Sequence, residues 1–214
     1  MKPCFPGKFF IRYRTLATTI AAILLLTACA QAPQQSIIVD NPNTFWAQHQ
    51  QQAATLSNWN IMGKLGIRTA KQSNSARINW QQLNRVFDIR VTSLLGQGVV
   101  TLTGTTGNTH IKLAGHGEFN SGNPEALLLQ ELGWTLPIRA LNYWVRGIPD
   151  PDNEALYQLN EQGLLDTLQQ AGWQLSFSRY QTLDSHTLPS KIRLQQGEIA
   201  LTLLIKRWSL SPDS

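Results

Sequence analysis

An α+β fold built on one large antiparallel sheet is predicted by three features of this 214-residue chain. Apolar and polar residues alternate with a period of two in short segments between residues 59 and 113. Helix start and stop residues then replace that alternation between residues 123 and 147. The alternation returns at residue 173 and runs towards the C-terminus. Strands, then helices, then strands, joined by Gly, Asn and Ser turns, describe an antiparallel arrangement interrupted once.

Residues 1–14 carry Lys2, Lys8, Arg12 and Arg14 and no acid, and residues 15–28 carry no charge. A basic stretch before a short apolar run reads as a secretory signal. The run is shorter than the roughly 20 residues that a membrane-crossing helix needs. It ends in Leu26-Thr27-Ala28-Cys29, which resembles the bacterial lipobox. That resemblance implies cleavage before Cys29, a diacylglyceryl group on its sulfur and an acyl group on its new amine. Ala30 stands where lipoproteins kept in the inner membrane often carry Asp, so the outer membrane is the expected destination.

Removing residues 1–28 removes four basic side chains and no acidic one, leaving 14 basic against 13 acidic. The folded part is therefore close to neutral, which argues against a nucleic-acid partner. Cys4 leaves with the signal and Cys29 is the lipidation site, so no disulfide is expected. Residues 29–43 read as the lipidated cysteine and a flexible Gln/Pro/Asn-rich tether, spanning roughly 20 Å. Residues 44–214 are expected to form a single domain.

A helix capped by Asn43 or Thr44 should open that domain, with Phe45, His49, Ala53 and Leu56 on one face. Strands follow. Trp59, Ile61, Leu65 and Ile67 share one face, as do Ala76, Ile78 and Trp80, and Phe87, Ile89 and Val91. Residues 99–104 and 109–113 continue the pattern, with Ile111 and Leu113 facing in. Between Val91 and Val99, where a polar turn belongs, stand Leu94 and Leu95 followed by Gly96 and Gly98.

Asn123 as N-cap, Pro124 at the first helical position and Gly133 past the end define the next helix. A shorter one opens at Pro137, aligns Ile138, Leu141 and Val145, and closes at Gly147. Residues 147–155 read as a loop. Residues 163–170 carry helical propensity, whereas Trp173, Leu175 and Phe177 alternate and Gln170-Ala171-Gly172 suits a hairpin turn. A last hairpin turns near Gln196-Gly197.

No nucleophile elbow, phosphate-binding loop, dinucleotide fingerprint or zinc-protease motif is present, and no cofactor is expected. His49, His110, His116 and His186 have no metal-ligand spacing. His110, His116 and Glu118 could form an acid–base or metal cluster, or could simply decorate a glycine-rich loop. Glu125 and Glu131 fall on opposite sides of one helix, a poor geometry for paired carboxylates. Seven tryptophans either fill the core or line an apolar concavity.

Several of these segments resemble the LolB family of outer-membrane lipoprotein receptors: WNIMGKLGIR, ARINWQQ, VTSLLGQGVVTLTG and LPSKIRL among them. The most specific is LGWTLPIRALNYWVRGIP, residues 132–149. The resemblance implies an incomplete, half-open antiparallel β-barrel with helices covering its opening, acting as a monomer. It implies a protein that is not an enzyme and that accepts triacylated lipoproteins from a LolA-like periplasmic carrier. It also implies a protruding Pro-Leu-Gly loop that helps insert them into outer-membrane lipid. Leu95 and Gly96 match that loop, while Leu94 replaces its Pro. The expected acyl-chain cavity is lined by Leu65, Ile67, Ile78, Trp80, Phe87 and Ile89 from the sheet, and by Trp134, Leu141 and Trp144 from the helices. Two other readings stay open: a scaffold lipoprotein with a filled core, and a lipid-tethered hydrolase using His110, His116 and Glu118.

Overall fold

The computed structural model describes residues 42–93, 99–133 and 135–210. Helix α1 (Pro42–Thr55) is followed by strands β1 (Asn58–Arg68), β2 (Ser73–Leu83) and β3 (Val86–Ser93). Next come β4 (Val99–Thr105), β5 (Asn108–Leu113) and β6 (Gly117–Ser121). Helices α2 (Pro124–Leu132) and α3 (Ile138–Val145) then intervene. Strands β7 (Ala155–Leu159), β8 (Leu165–Gln170), β9 (Trp173–Leu183), β10 (His186–Gln196) and β11 (Ile199–Leu210) complete the order.

The eleven strands among the described residues form one antiparallel sheet, in the order β6-β5-β4-β3-β2-β1-β11-β10-β9-β8-β7. Its centre is the pairing of the first strand with the last, with Leu65 opposite Leu203 and Ile61 opposite Trp208. Its edges, β6 and β7, do not pair with each other among the described residues, so the sheet is open. The segment that joins those edges carries α2 and α3. Both helices bury apolar side chains against the inner sheet face, in one core.

Local chemistry explains most elements. The predicted alternation on β1, β2 and β3 is the observed inner face, because each period-two apolar set can be buried by one side of the sheet. Asn123 caps α2 through its side chain, which accepts from Ala126 N at 3.0 Å, and Pro124 follows it. Gly133 ends the helix at φ 75°, a left-handed conformation that a Cβ would strain. Ala171 and Gly172, both at positive φ, form the two-residue turn between β8 and β9.

The β1–β11 register slips between Met62 and Gly63, which makes a bulge. A Cβ on Gly63 would lie 2.2 Å from the Leu204 carbonyl oxygen, so only glycine allows this approach. Opposite it, Lys206 and Arg207 are both exposed while Ile205 and Trp208 are buried, so two successive cations point outward.

Four expectations need correction. Helix α1 starts at Pro42, and its buried face is Trp46, His49 and Ala53, with Phe45 only half-buried. Two aromatics in succession left the helical frame undetermined. The Trp46 indole donates to the Tyr157 hydroxyl at 3.1 Å and fixes it. Strands β6 and β7 were not anticipated; both are short edge strands with little buried alternation. Residues 165–170 form a strand and not a helix. No helix among the described residues is long and apolar enough to cross a membrane.

Candidate functional site

Between the inner sheet face and the two central helices lies a cavity of about 130 Å³ whose sixteen lining residues are all apolar. Strands β1 and β2 supply Leu65, Ile67, Ile78 and Trp80, and β3 supplies Ile89 and Val91. Strand β4 adds Val100 and Leu102, and the β10–β11 hairpin adds Leu194, Leu201 and Leu203. The helical segment closes it with Leu128, Leu136, Ile138, Leu141 and Val145. A cavity of roughly 150 Å³ lined this way stays dry and holds one benzene-sized molecule. The space as it stands is therefore ring-sized.

Of the nine residues expected to line a cavity, Leu65, Ile67, Ile78, Trp80, Ile89 and Leu141 do so. Phe87 is buried in the same core, but its register opposite Gln82 puts it one inward row nearer the β2–β3 turn. Trp144 is fully buried and aims elsewhere, its indole donating to Gln170 Oε1 at 2.8 Å. Trp134, Leu94, Leu95, Gly96 and Cys29 lie outside the described residues. The missed lining residues on β10 and β11 were visible as apolar alternation. Their membership depends on the β1–β11 pairing, which local sequence does not encode.

The tryptophans mainly plug the core. Trp59 packs on Trp80 and Trp208 with ring centroids 5.0 and 5.4 Å apart. Trp80 is the one described tryptophan that lines the cavity.

Buried polar groups anchor α3. Arg146, 4% exposed, donates from Nη1 to the carbonyls of Ala53, Ala54 and Leu56 at 2.7, 3.2 and 3.1 Å. Its Nε reaches Asn142 O at 2.9 Å, and its guanidinium lies 4.9 Å from the Tyr143 ring centroid. Helix α1 has no basic residue in its last turn, so Arg146 supplies the charge that its C-terminal carbonyls favour. Burial lowers the Arg146 pKa to about 10, so it stays charged at neutral pH. Gln170, 3% exposed, accepts from Trp144 and from Asp150 N and donates to the carbonyls of Asp150 and Asn153. It ties the loop after α3 to β8.

Helix α2 is held more loosely. Glu125 accepts from Ile138 N at 3.0 Å, and Glu131 contacts His116 at 3.4 Å. The two carboxylates thus serve separate contacts. His110 contacts Glu118 at 3.5 Å, and Glu118 pairs with Lys112, which holds its pKa below the usual range. His116 is engaged elsewhere, so the three residues form no cluster. No group of potential metal ligands occurs among the described residues.

His49 stacks on Trp46 and is 4% exposed. Burial pushes its pKa below the ordinary 6.5, against a hydrogen bond to the Gly147 backbone that raises it. The fold thus holds the neutral ring. Its contribution to stability is complete above the unfolded-state value and is lost as pH falls from 6.5 towards the lowered folded-state value. Urea midpoints measured across that window should decline, and His49→Phe, which keeps the stacking without the titration, should flatten the decline.

The fold and the site define a class of domain in which one open antiparallel sheet packs on two helices around an apolar cavity. A LolA superfamily protein from Nitrosomonas europaea shares this fold at a TM-score of 0.50 and 9% identity, over 82% of this chain and 96% of that one. The family model described as Outer membrane lipoprotein LolB matches residues 57–208. Outer-membrane lipoprotein LolB of Stutzerimonas stutzeri is 37% identical over 91% of this chain and 95% of that protein. Its counterpart in Pseudomonas paraeruginosa is 37% identical over 88% and 92%. The chain belongs to the LolB family of outer-membrane lipoproteins, a family of lipoprotein transport and not of enzymes.

Proposed function

We propose that this protein receives triacylated lipoproteins from a LolA-like periplasmic carrier, holds their acyl chains in the apolar cavity and passes them to the outer membrane. The observation that carries this reading is a cavity without a polar lining residue in an outer-membrane lipoprotein family. Acyl chains bring about 0.8 kcal/mol per buried CH₂, so a dry apolar surface is the chemistry they require. A ring-sized space must widen to admit them. Helix α2 is the element to move, since Arg146 and Gln170 fix α3 through buried polar contacts while the polar contacts of α2 are its cap, Glu125 and Glu131, and its remaining hold is the apolar packing of Leu127 and Leu128. The resulting shape is a half-open barrel whose helices cover its opening.

Residues 1–28 are removed as a signal, Cys29 carries the N-acyl and diacylglyceryl anchor, and residues 30–41 tether the domain to the membrane. Transfer runs without ATP, down a gradient of affinity in which each tenfold step needs about 1.4 kcal/mol. Leu94 and Leu95 ahead of Gly96, on the connection between β3 and β4, touch the bilayer during release.

The test follows a labelled lipoprotein from carrier to receptor, then from receptor to liposomes. Leu95→Glu is expected to accept cargo as wild type does and to deliver it at least tenfold more slowly, because an ionised carboxylate resists entry into lipid. Unchanged delivery overturns the role given to the loop. A scaffold lipoprotein with a permanently filled core, the alternative reading, predicts no acceptance by either protein.

A further inference from the structure

The near-neutral charge of the folded part conceals a polarised surface. Five strands adjacent in the sheet, β2, β1, β11, β10 and β9, contain no Asp or Glu. On their outer face, opposite the cavity, Lys64, Arg77, Lys206 and Arg207 line a groove of about 440 Å³ together with Arg90 of β3. The bulge at Gly63 brings Lys206 and Arg207 to the same side. Arg68 and Arg193 line a neighbouring groove of about 830 Å³ rich in amide and hydroxyl side chains, and Lys191 sits across Leu204 from Lys64. Among the described residues, none of these cations takes part in an ion pair. Met62, 43% exposed, lies within the basic groove.

We infer that this outer sheet face docks on anionic phospholipid headgroups of the membrane that carries the protein. Three observations select a bilayer as the occupant. The chain is an outer-membrane lipoprotein, so that surface is always at hand. Cations surrounding an exposed methionine match the boundary between headgroups and acyl chains. Guanidiniums beside amide and hydroxyl donors suit phosphate oxygens. Docking this way turns the helical side of the domain towards the periplasm, where cargo arrives. The inference uses the Cys29 anchor of the proposed function only to bring the face within reach.

The mature lipidated chain is reconstituted into vesicles of phosphatidylcholine alone, or of phosphatidylcholine and phosphatidylglycerol in equal parts. Lysine acylation is then read by mass spectrometry. Lys64, Lys191 and Lys206 should label about fivefold more slowly on the anionic vesicles, while Lys71 and Lys112 label equally on both. Added salt should erase the difference. The variant Lys64→Gln/Arg77→Gln/Lys206→Gln alters only exposed or groove-facing side chains and should unfold at the wild-type temperature while Lys191 loses its protection. Retention on phosphatidylcholine reports on the anchor alone, so failure of the anchor and failure of the docking face are distinguishable. Equal labelling on both vesicles overturns the inference, and so does protection that appears only when an acidic soluble protein is added.

Discussion

Arg146→Met lowers the unfolding free energy by about 3 kcal/mol and the thermal midpoint by roughly 6–12 °C. The guanidinium satisfies three carbonyls at the end of α1 from a position 90 or more residues away in the chain. Methionine fills much of the space but donates nothing, so buried acceptors lose their partners while the desolvation cost of the cation is recovered. The first effect exceeds the second because several acceptors depend on one donor group. Arg146→Lys should recover only part of the loss, since one ammonium cannot reproduce the fork that reaches both α1 and Asn142. Chemical denaturation of the three proteins checks this. A loss below about 1 kcal/mol for methionine would mean that water replaces the guanidinium at the α1 carbonyls.

Leu141→Glu should reduce acyl binding at least tenfold and leave the fold in place. Leu141 is half-buried and lines the cavity from α3, so an empty cavity can let a carboxylate turn towards solvent. An acyl chain entering beside it would strip the carboxylate of water, at a cost of several kcal/mol. Leu141→Met preserves volume and polarity and should bind as wild type. Titration with a fluorescent acyl probe, with circular dichroism as the folding control, decides the matter. Wild-type affinity in the glutamate variant would place the acyl chains somewhere other than this cavity.

Both predictions use residues whose roles were legible to different degrees. Leu141 was expected on the inner helical face because Ile138, Leu141 and Val145 repeat at helical spacing. Arg146 carried no such signal, since its partners are backbone carbonyls of a distant helix. Strands β1 to β5 were legible because one face of each is buried and the other solvated. Strand β8 was obscured for a physical reason. It buries Leu165, Leu168 and Gln170, and the β7–β8 register slips between Gln158 and Leu159, so its apolar spacing imitates a helix. Strands β6 and β7 sit at the edges, where Leu156 is 73% exposed and little alternation is imposed. The outer basic face escaped notice for another reason: summing charge over the chain cancels cations on five strands against acids held elsewhere.

The pairing of β1 with β11 also bears on how the molecule is made. Each half of the sheet is a succession of hairpins that can form early, but the central ladder needs the last strand of the chain. Contacts between the two ends of a sequence form slowly, because closing so long a loop loses much entropy before any contact stabilises it. A chain whose final strand has not yet been made therefore cannot complete its core, even where the hairpins of each half have already formed. Loss of the final strand should leave two incomplete half-sheets and not a shortened domain.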